Sequence, residues 1–353
     1  MLSLRRGTVV ATDGGERVTH ATVRLDDGAE RTAIAYPELT GPLELGDDVV
    51  VNVEAQDLGL GSGGFDLVHV NLARLPSGSG SGDAHVMKLN YTSLQHAVSP
   101  VEEGLDRVES SIGLAVGVLA LHGQLAATAH AFAQVADGGR LGYVQTAGGA
   151  LPGWLSDTVA ELLERELLVD HVTAAPCFGG AHESITVEGA LDAGARKLGW
   201  DAALVGPGPG ILGSASAFGH GGLVALHNAN AAIALGCRVV LIPRLSSGDP
   251  RERHRGLSHH SATVAALLPA AVAFPLALEL SEDAAAQVEE SARRNPTLEV
   301  ERISVAELAD EYLASGLPAS TMGRAFEQDR DFFLSALAAG SLLARTLSKG
   351  GAT

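Results

Sequence analysis

Between Asp249 and Thr263 the chain reads Asp-Pro-Arg-Glu-Arg-His-Arg-Gly-Leu-Ser-His-His-Ser-Ala-Thr, a run of guanidinium and imidazole groups in otherwise apolar surroundings. Four of the 21 arginines fall between Arg244 and Arg255, and three of the 13 histidines between His254 and His260. The run follows the strand-like segment Cys237–Pro243 and precedes the apolar stretch Val264–Leu278. In an acidic protein, such a cluster at the end of a buried strand suits an anion or a proton transfer. Arg253 and Arg255 are the expected anion clamp, and His259 or His260 the expected proton carrier. Two other readings stay open. One is a solvated loop whose His259 caps the following helix. The other is a metal site, because His254-x4-His259-His260 offers imidazoles if a helix starts near Ser258. Adjacent histidines on a helix point to different faces, so at most one of His259 and His260 is expected to join His254. The carboxylates at hand are Asp249 and Glu252. No metal ligand is assigned on this basis, and the cofactor is left unknown.

Four further loops carry groups of the same kind. They are His122-Gly-Gln124, Thr146-Ala-Gly-Gly149, Cys177-Phe-Gly-Gly180 with His182 and Glu183, and Gly206-Pro-Gly-Pro-Gly-Ile-Leu-Gly213 followed by Ser214, Ser216 and His220. Glycine lets backbone N–H groups approach a ligand closely, and helix N-termini favour negative charge. His122 is therefore a third catalytic candidate, and Gly208, Gly210, Gly213, Ser214 and Thr146 are candidate anion-binding residues. The same loops also read simply as the glycine-rich connections of any α/β protein. Gly208–Gly213 formally matches GxGxxG, but the next strand ends Leu-Ile-Pro-Arg244, without the acid that holds a ribose. A phosphate or carboxylate cradle fits better than a nicotinamide cofactor. Cys177 reads either as a nucleophile near His182 or as a buried structural thiol. Lys88 and His254 are additional candidates, Lys88 because lysine occurs only three times. Thr321-Met-Gly-Arg324 with Asp329 and Asp331 reads as a closing segment or as plain helix initiation.

Something must bring these loops together, and the hydrophobic pattern supplies it. From Ile112 onward, apolar strand runs alternate with helical periodicity, predicting six or seven parallel strands with helices on both faces. Ligands of such sheets bind beyond the carboxyl ends of the strands, where the five loops fall. Ser304-Val-Ala-Glu307 predicts a capping box at a late helix. Residues 1–75 instead show five short alternating runs (7–12, 17–25, 31–35, 48–54 and 65–71) between glycine and aspartate turns, predicting a small closed β-barrel. Residues 76–111 read as a linker and lead-in, opening with the serine–glycine stretch Pro76–Gly82. The expected fold is α/β: an N-terminal barrel, then a doubly wound, Rossmann-like three-layer sandwich over 112–353.

Composition narrows the function classes. The 353 residues are 46% hydrophobic, 19% charged and 4% aromatic, a globular balance, with 43 glycines. A net charge of −18 argues against a nucleic-acid or anionic-membrane partner. Two distant cysteines allow neither a disulfide framework nor a zinc knuckle. The start of the chain lacks a signal-peptide apolar region, and no apolar run is long enough to span a bilayer, so a cytoplasmic protein is expected.

His85-Val-Met-Lys-Leu-Asn-Tyr-Thr92, Asp57–Gly64, Gly206–Gly213 and His254-Arg-Gly-Leu-Ser-His-His260 together resemble a bacterial family catalogued as domain of unknown function 3866. The resemblance covers nearly the whole chain. It implies that barrel and sheet form one architecture, and it implies no reaction. The residues themselves point to an enzyme of hydrolase or transferase type acting on a small anionic molecule. A non-catalytic nucleotide or metabolite sensor is the alternative, and a homodimer is the expected assembly.

Overall fold

The computed structural model describes residues 2–60, 63–74, 76, 82–214 and 216–348. It divides into a first unit ending at Val98 and a second beginning at Ser99. The core of the serine–glycine stretch, residues 77–81, lies outside the described residues.

In the first unit, strands β1 (Leu4–Thr12), β2 (Thr19–Leu25), β3 (Glu30–Ala35), β4 (Asp48–Asn52) and β5 (Asp66–Asn71) close into a barrel in the order β1-β2-β3-β5-β4. Alternation does the work: in β2 the residues alternate inward and outward, sending Ala21, Val23 and Leu25 to the interior. Small side chains suffice to fill so narrow a lumen, and Val9, Val23, Ala33, Val49 and Val51 are almost wholly buried. A parallel pairing of β3 with β5 completes the ring and leaves no open edge. A short hairpin of β6 (Val86–Lys88) and β7 (His96–Val98) ends this unit and carries Lys88.

The second unit begins with β8 (Ala115–Leu119), α1 (Leu125–Val135), β9 (Leu141–Thr146), α2 (Asp157–Glu164) and β10 (Asp170–Ala174). It continues through β11 (His182–Ser184), α3 (Val187–Arg196), β12 (Ala202–Pro207), α4 (Val224–Ala234) and β13 (Arg238–Ile242). A small ladder of β14 (Leu245–Ser246) and β15 (Gly256–Leu257) precedes α5 (His259–Leu267), β16 (Val272–Ala277), α6 (Glu282–Arg294), β17 (Leu298–Ile303) and α7 (Ala306–Ala314). A turn of β18 (Ser320–Thr321) and β19 (Arg324–Ala325) leads into α8 (Arg330–Ser348).

Eight of these strands form one parallel sheet in the order β11-β10-β9-β12-β8-β13-β16-β17. Strands β8, β9 and β12 are buried at every residue, Gln145 and Thr146 of β9 included, because helices cover both faces of the sheet. Helices α1, α2, α7 and α8 pack on one face around Phe132, Tyr143, Leu162, Tyr312 and Phe333. Helices α3 to α6 pack on the other around Val116, Val205, Leu241 and Phe274.

Connections on the two faces run in opposite directions. From β8 the chain passes through α1 to β9, beyond β12; from β12 it passes through α4 on the other face to β13, beyond β8. The loops leaving β8 and β12 therefore part, opening a crevice at their carboxyl ends.

Two local expectations are corrected. Strand β11 has no apolar run of its own and pairs only at the edge, through Val172–Ala174 of β10. The capping box at Ser304 does not form. Glu279, at the end of β16, accepts instead from Ser304 Oγ at 2.6 Å and from the amides of Val305 and Ala306 at 3.0 and 3.2 Å. A carboxylate from a neighbouring strand outcompetes the helix's own Glu307, which stays exposed.

Candidate functional site

A cavity of about 400 Å³ occupies that crevice. The loop after β8 supplies Leu121, His122 and Gly123, and the loop after β12 supplies Pro209–Ser214. From the segment between β13 and α5 come Arg244, Arg251, Arg253, His254 and His260, and the β18–β19 turn adds Ser320, Thr321 and Met322. Three guanidinium groups stand on this wall and no carboxylate does.

Close backbone packing sets the loops. A Cβ on Gly149 would lie 2.2 Å from the Gly208 carbonyl oxygen, and one on Gly208 would lie 2.2 Å from that of Ala150. These glycines let two loops interlock, through Ala150 N to Pro209 O at 2.8 Å and Leu212 N to Gly148 O at 3.1 Å. Gln124, fully buried, ties the β8 loop to β13: its Oε1 accepts from the amides of Ala120 and Leu121, and its Nε2 donates to Pro243 O at 2.9 Å.

The arginine wall is anchored on Asp249, whose side chain is wholly buried. Arg244 donates to its Oδ2 at 2.8 Å, and Arg251 grips both oxygens at 2.9 Å. The Arg251 hydrogen bonds hold this carboxyl well below the usual carboxylate range. Burial lowers the Arg244 guanidinium to about 10, which still leaves it charged at neutral pH, and its Nε has no hydrogen-bond partner. Behind them Asp329 accepts from Ser246 Oγ at 2.7 Å, from the Ser247 amide at 2.9 Å and from Arg324 Nε at 2.9 Å. Asp331 accepts from Ser281 Oγ. Arg324, Asp329 and Asp331 thus brace the segment, while Thr321 and Met322 reach the cavity.

His122 belongs to a buried polar chain. Its Nε2 meets Ser156 Oγ at 2.7 Å and its Nδ1 meets Pro207 O at 3.3 Å. Ser156 also caps α2 by accepting from the Val159 amide. Tyr143 donates to Pro207 O at 3.0 Å and stacks on His171, which meets Gln145 Oε1 at 3.2 Å. Burial pushes His122 down to about 4 and His171 to about 3.

Across the cavity four imidazoles collect: His220, His254, His259 and His260. The rings of His220 and His260 stack at 4.0 Å, those of His259 and His260 lie 4.2 Å apart, and His254 sits 4.9 and 5.0 Å from them. His259 and His260 both face this cluster, contrary to the expectation that adjacent helix positions would point apart. They are the first two residues of α5, after the N-cap Ser258. Side chains lean toward a helix N-terminus, and in the first turn no preceding turn holds them apart. The helix is capped by Ser258, not by His259.

Burial, then the neighbouring imidazoles, lowers His260 to about 3; burial, then Arg244 and Arg251, lowers His254 to about 4. His220 and His259 are lowered too, mainly by burial. All four are neutral at neutral pH. His254 Nδ1 meets Ser258 Oγ at 2.8 Å and His220 Nε2 meets Ala217 O at 3.0 Å. His220 Nδ1, His259 Nε2 and His260 Nδ1 are buried without a hydrogen-bond partner.

Of the residues singled out in the sequence, His122, His254, His260, Arg253, Gly210, Gly213 and Ser214 line the cavity. Gly208, Thr146, Cys177, His259 and Arg255 are not on its lining. Thr146 is buried and accepts from Asn228 Nδ2 at 3.1 Å, Cys177 is wholly buried, and Arg255 is exposed. Lys88 lies in the first unit. Arg251 and the pairing role of His220 escaped the sequence reading. The signal available was the position of His220 just after the glycine loop and of Arg251 two residues from a buried-type aspartate.

Among the described residues no helix is long and apolar enough to cross a membrane. No curated protein and no solved structure matches the chain. Residues 32–340 match the family described as "Protein of unknown function (DUF3866)", and the chain belongs to that family.

Proposed function

We propose that the chain binds a small anionic metabolite in this cavity, through a phosphate or carboxylate group, and acts on it as a hydrolase or transferase. One observation carries the reading: three arginines and no carboxylate line an opening of about 400 Å³. That is a small-molecule volume, and guanidinium groups match both anions in geometry. Arg244, with its unpartnered Nε, and the exposed Arg253 are the groups with donors to spare. His254, neutral on the lining and tethered through Nδ1 to Ser258 Oγ, is the imidazole placed to exchange a proton with water or a substrate hydroxyl. In this reading His122 positions the wall, because Ser156 and Pro207 occupy its ring nitrogens.

Calorimetric titration with a panel of phosphorylated and carboxylated metabolites tests the proposal, with mass spectrometry on each binder for product. Binding weakened by Arg253→Ala and accompanied by turnover supports it. Binding without turnover places the chain with metabolite sensors instead. If no anion binds, the reading fails.

A further inference from the structure

The unpartnered imidazoles of His220, His259 and His260 ask for an explanation that an anion pocket does not provide. Buried polar atoms in native structures almost always find a partner, and each one left bare costs about 1–3 kcal/mol. Here three bare ring nitrogens belong to three neighbouring side chains: His220 Nδ1, His259 Nε2 and His260 Nδ1. One nitrogen from each of the three residues lies within 4.8 Å of the others. His220 and His260 are buried, and His259 is half-buried.

From this geometry we infer a three-histidine site for a divalent transition metal ion of the zinc class, held by His220, His259 and His260. The second shell agrees. Ala217 O takes the Nε2–H of His220 at 3.0 Å, which fixes the tautomer whose lone pair is on the bare Nδ1. Ligating histidines characteristically use their other nitrogen in this way. Three neutral nitrogen donors and no oxygen donor select against magnesium and calcium and suit zinc, cobalt, nickel or copper. Imidazole-bound zinc at about 2.0–2.1 Å needs nitrogens about 3.4 Å apart, so the ion draws the rings in by side-chain rotation of roughly an ångström.

Three protein ligands leave a coordination position open, as in catalytic zinc sites. His260 is also on the cavity wall, so the ion stands at its edge, and Arg244, Arg251 and Arg253 favour an anionic fourth ligand there. His254 is left as the nearby imidazole outside the ligand set, tethered to Ser258. Two strands of the sheet supply the ligands, β12 through its glycine loop and β13 through the start of α5. The site therefore joins the loop after β12 to the segment after β13.

The test uses the full chain, stripped with chelator and titrated with Co²⁺ and then Zn²⁺. One equivalent of Co²⁺ should give the visible absorption of a four-coordinate nitrogen site, displaced by Zn²⁺, and Zn²⁺ should raise the melting temperature. His220→Ala, His259→Ala and His260→Ala should each weaken Zn²⁺ binding by about 100-fold in a competition assay. His227→Ala, on the exposed side of α4, should leave it unchanged. Circular dichroism separates loss of the site from loss of the fold. If a variant unfolds, the corresponding His→Gln replaces it, with the same weakening expected. No stoichiometric Co²⁺ or Zn²⁺ binding by the wild type overturns the inference, and so does affinity indifferent to all three substitutions in folded variants. Phosphate titration of the metal-free chain reads the anion pocket separately, so either idea can fail without the other.

Discussion

His122 and His260 both line the cavity, both are buried, and both are held neutral by burial, yet their surroundings differ in kind. Both ring nitrogens of His122 have partners, in Ser156 and Pro207, and the chain of contacts runs on through Tyr143, His171 and Gln145. His260 touches three other imidazoles and keeps a bare Nδ1. A satisfied network earns its place by rigidity, and its residues need no ligand to explain them. A cluster of bare nitrogens stores an unmet demand, which a ligand or ion can answer. The same residue type at the same sheet edge is thus hydrogen-bonded at both nitrogens in one place and left with bare nitrogens in the other. Substitutions should separate the two.

The largest effect belongs to the frame of the arginine wall. Asp249→Ala removes the counter-charge of the buried Arg244 and frees Arg251, so denaturant titration should show a loss of about 3–5 kcal/mol. A loss below about 1 kcal/mol would mean that the arginine wall is not held by this aspartate. Next is the comparison itself. His122→Ala strips partners from Ser156 and leaves a void in a packed network, and should cost about 3 kcal/mol in the same experiment. His260→Ala, assayed without metal, should cost less, about 1–2 kcal/mol: it too leaves a void, but it removes a group whose Nδ1 makes no hydrogen bond. Equal costs would collapse the distinction between the walls.

Much of the architecture could be read before any coordinates. Period-two alternation in residues 19–25 and the continuous apolar runs of β8 and β12 fix barrel and sheet, because burial on one face or two writes those patterns directly. The sheet edge in turn pointed to the crevice, and of the residues named for it His122, His254, His260 and Arg253 line the cavity there. Pairings that depend on three dimensions were out of reach. Glu279 displaces Glu307 as the acceptor at α7 through a contact 26 residues away in sequence. His220, in the loop after β12, meets His260, at the start of α5. Gly208 reads as a ligand cradle in one dimension and as a loop interlock in three, since the Ala150 carbonyl that excludes a side chain there is not its sequence neighbour.

Acid should expose the satisfied wall. His122 and His171 have folded values of about 4 and about 3, below the ordinary value of 6.5, so the unfolded chain binds protons more readily. Their contribution is therefore complete above pH 6.5 and is lost as pH falls toward the folded values. For His122 alone the loss between pH 7 and pH 5 is on the order of 2 kcal/mol. Melting temperatures across that range should fall in the wild type and fall less steeply in His122→Gln, which cannot take up the proton. A slope unchanged by that substitution would assign the acid sensitivity to His171 or to the imidazole cluster.

The smallest effect in stability is the most telling for the arginine wall. Arg253 is exposed on the cavity lining and sits outside the Asp249 pairings that hold Arg244 and Arg251. Arg253→Ala should leave unfolding free energy within about 0.5 kcal/mol of the wild type. An exposed guanidinium released from no partner can still meet an anion, and losing one charge-assisted hydrogen bond of about 1.5–3 kcal/mol should weaken phosphate or carboxylate binding by roughly 10-fold or more. Arg253→Lys keeps the charge but not the planar fork, and should restore only part of the affinity. Full recovery with lysine would make the wall a diffuse positive field. Partial recovery would mark it as a shaped anion site, different in kind from the wall that His122 completes.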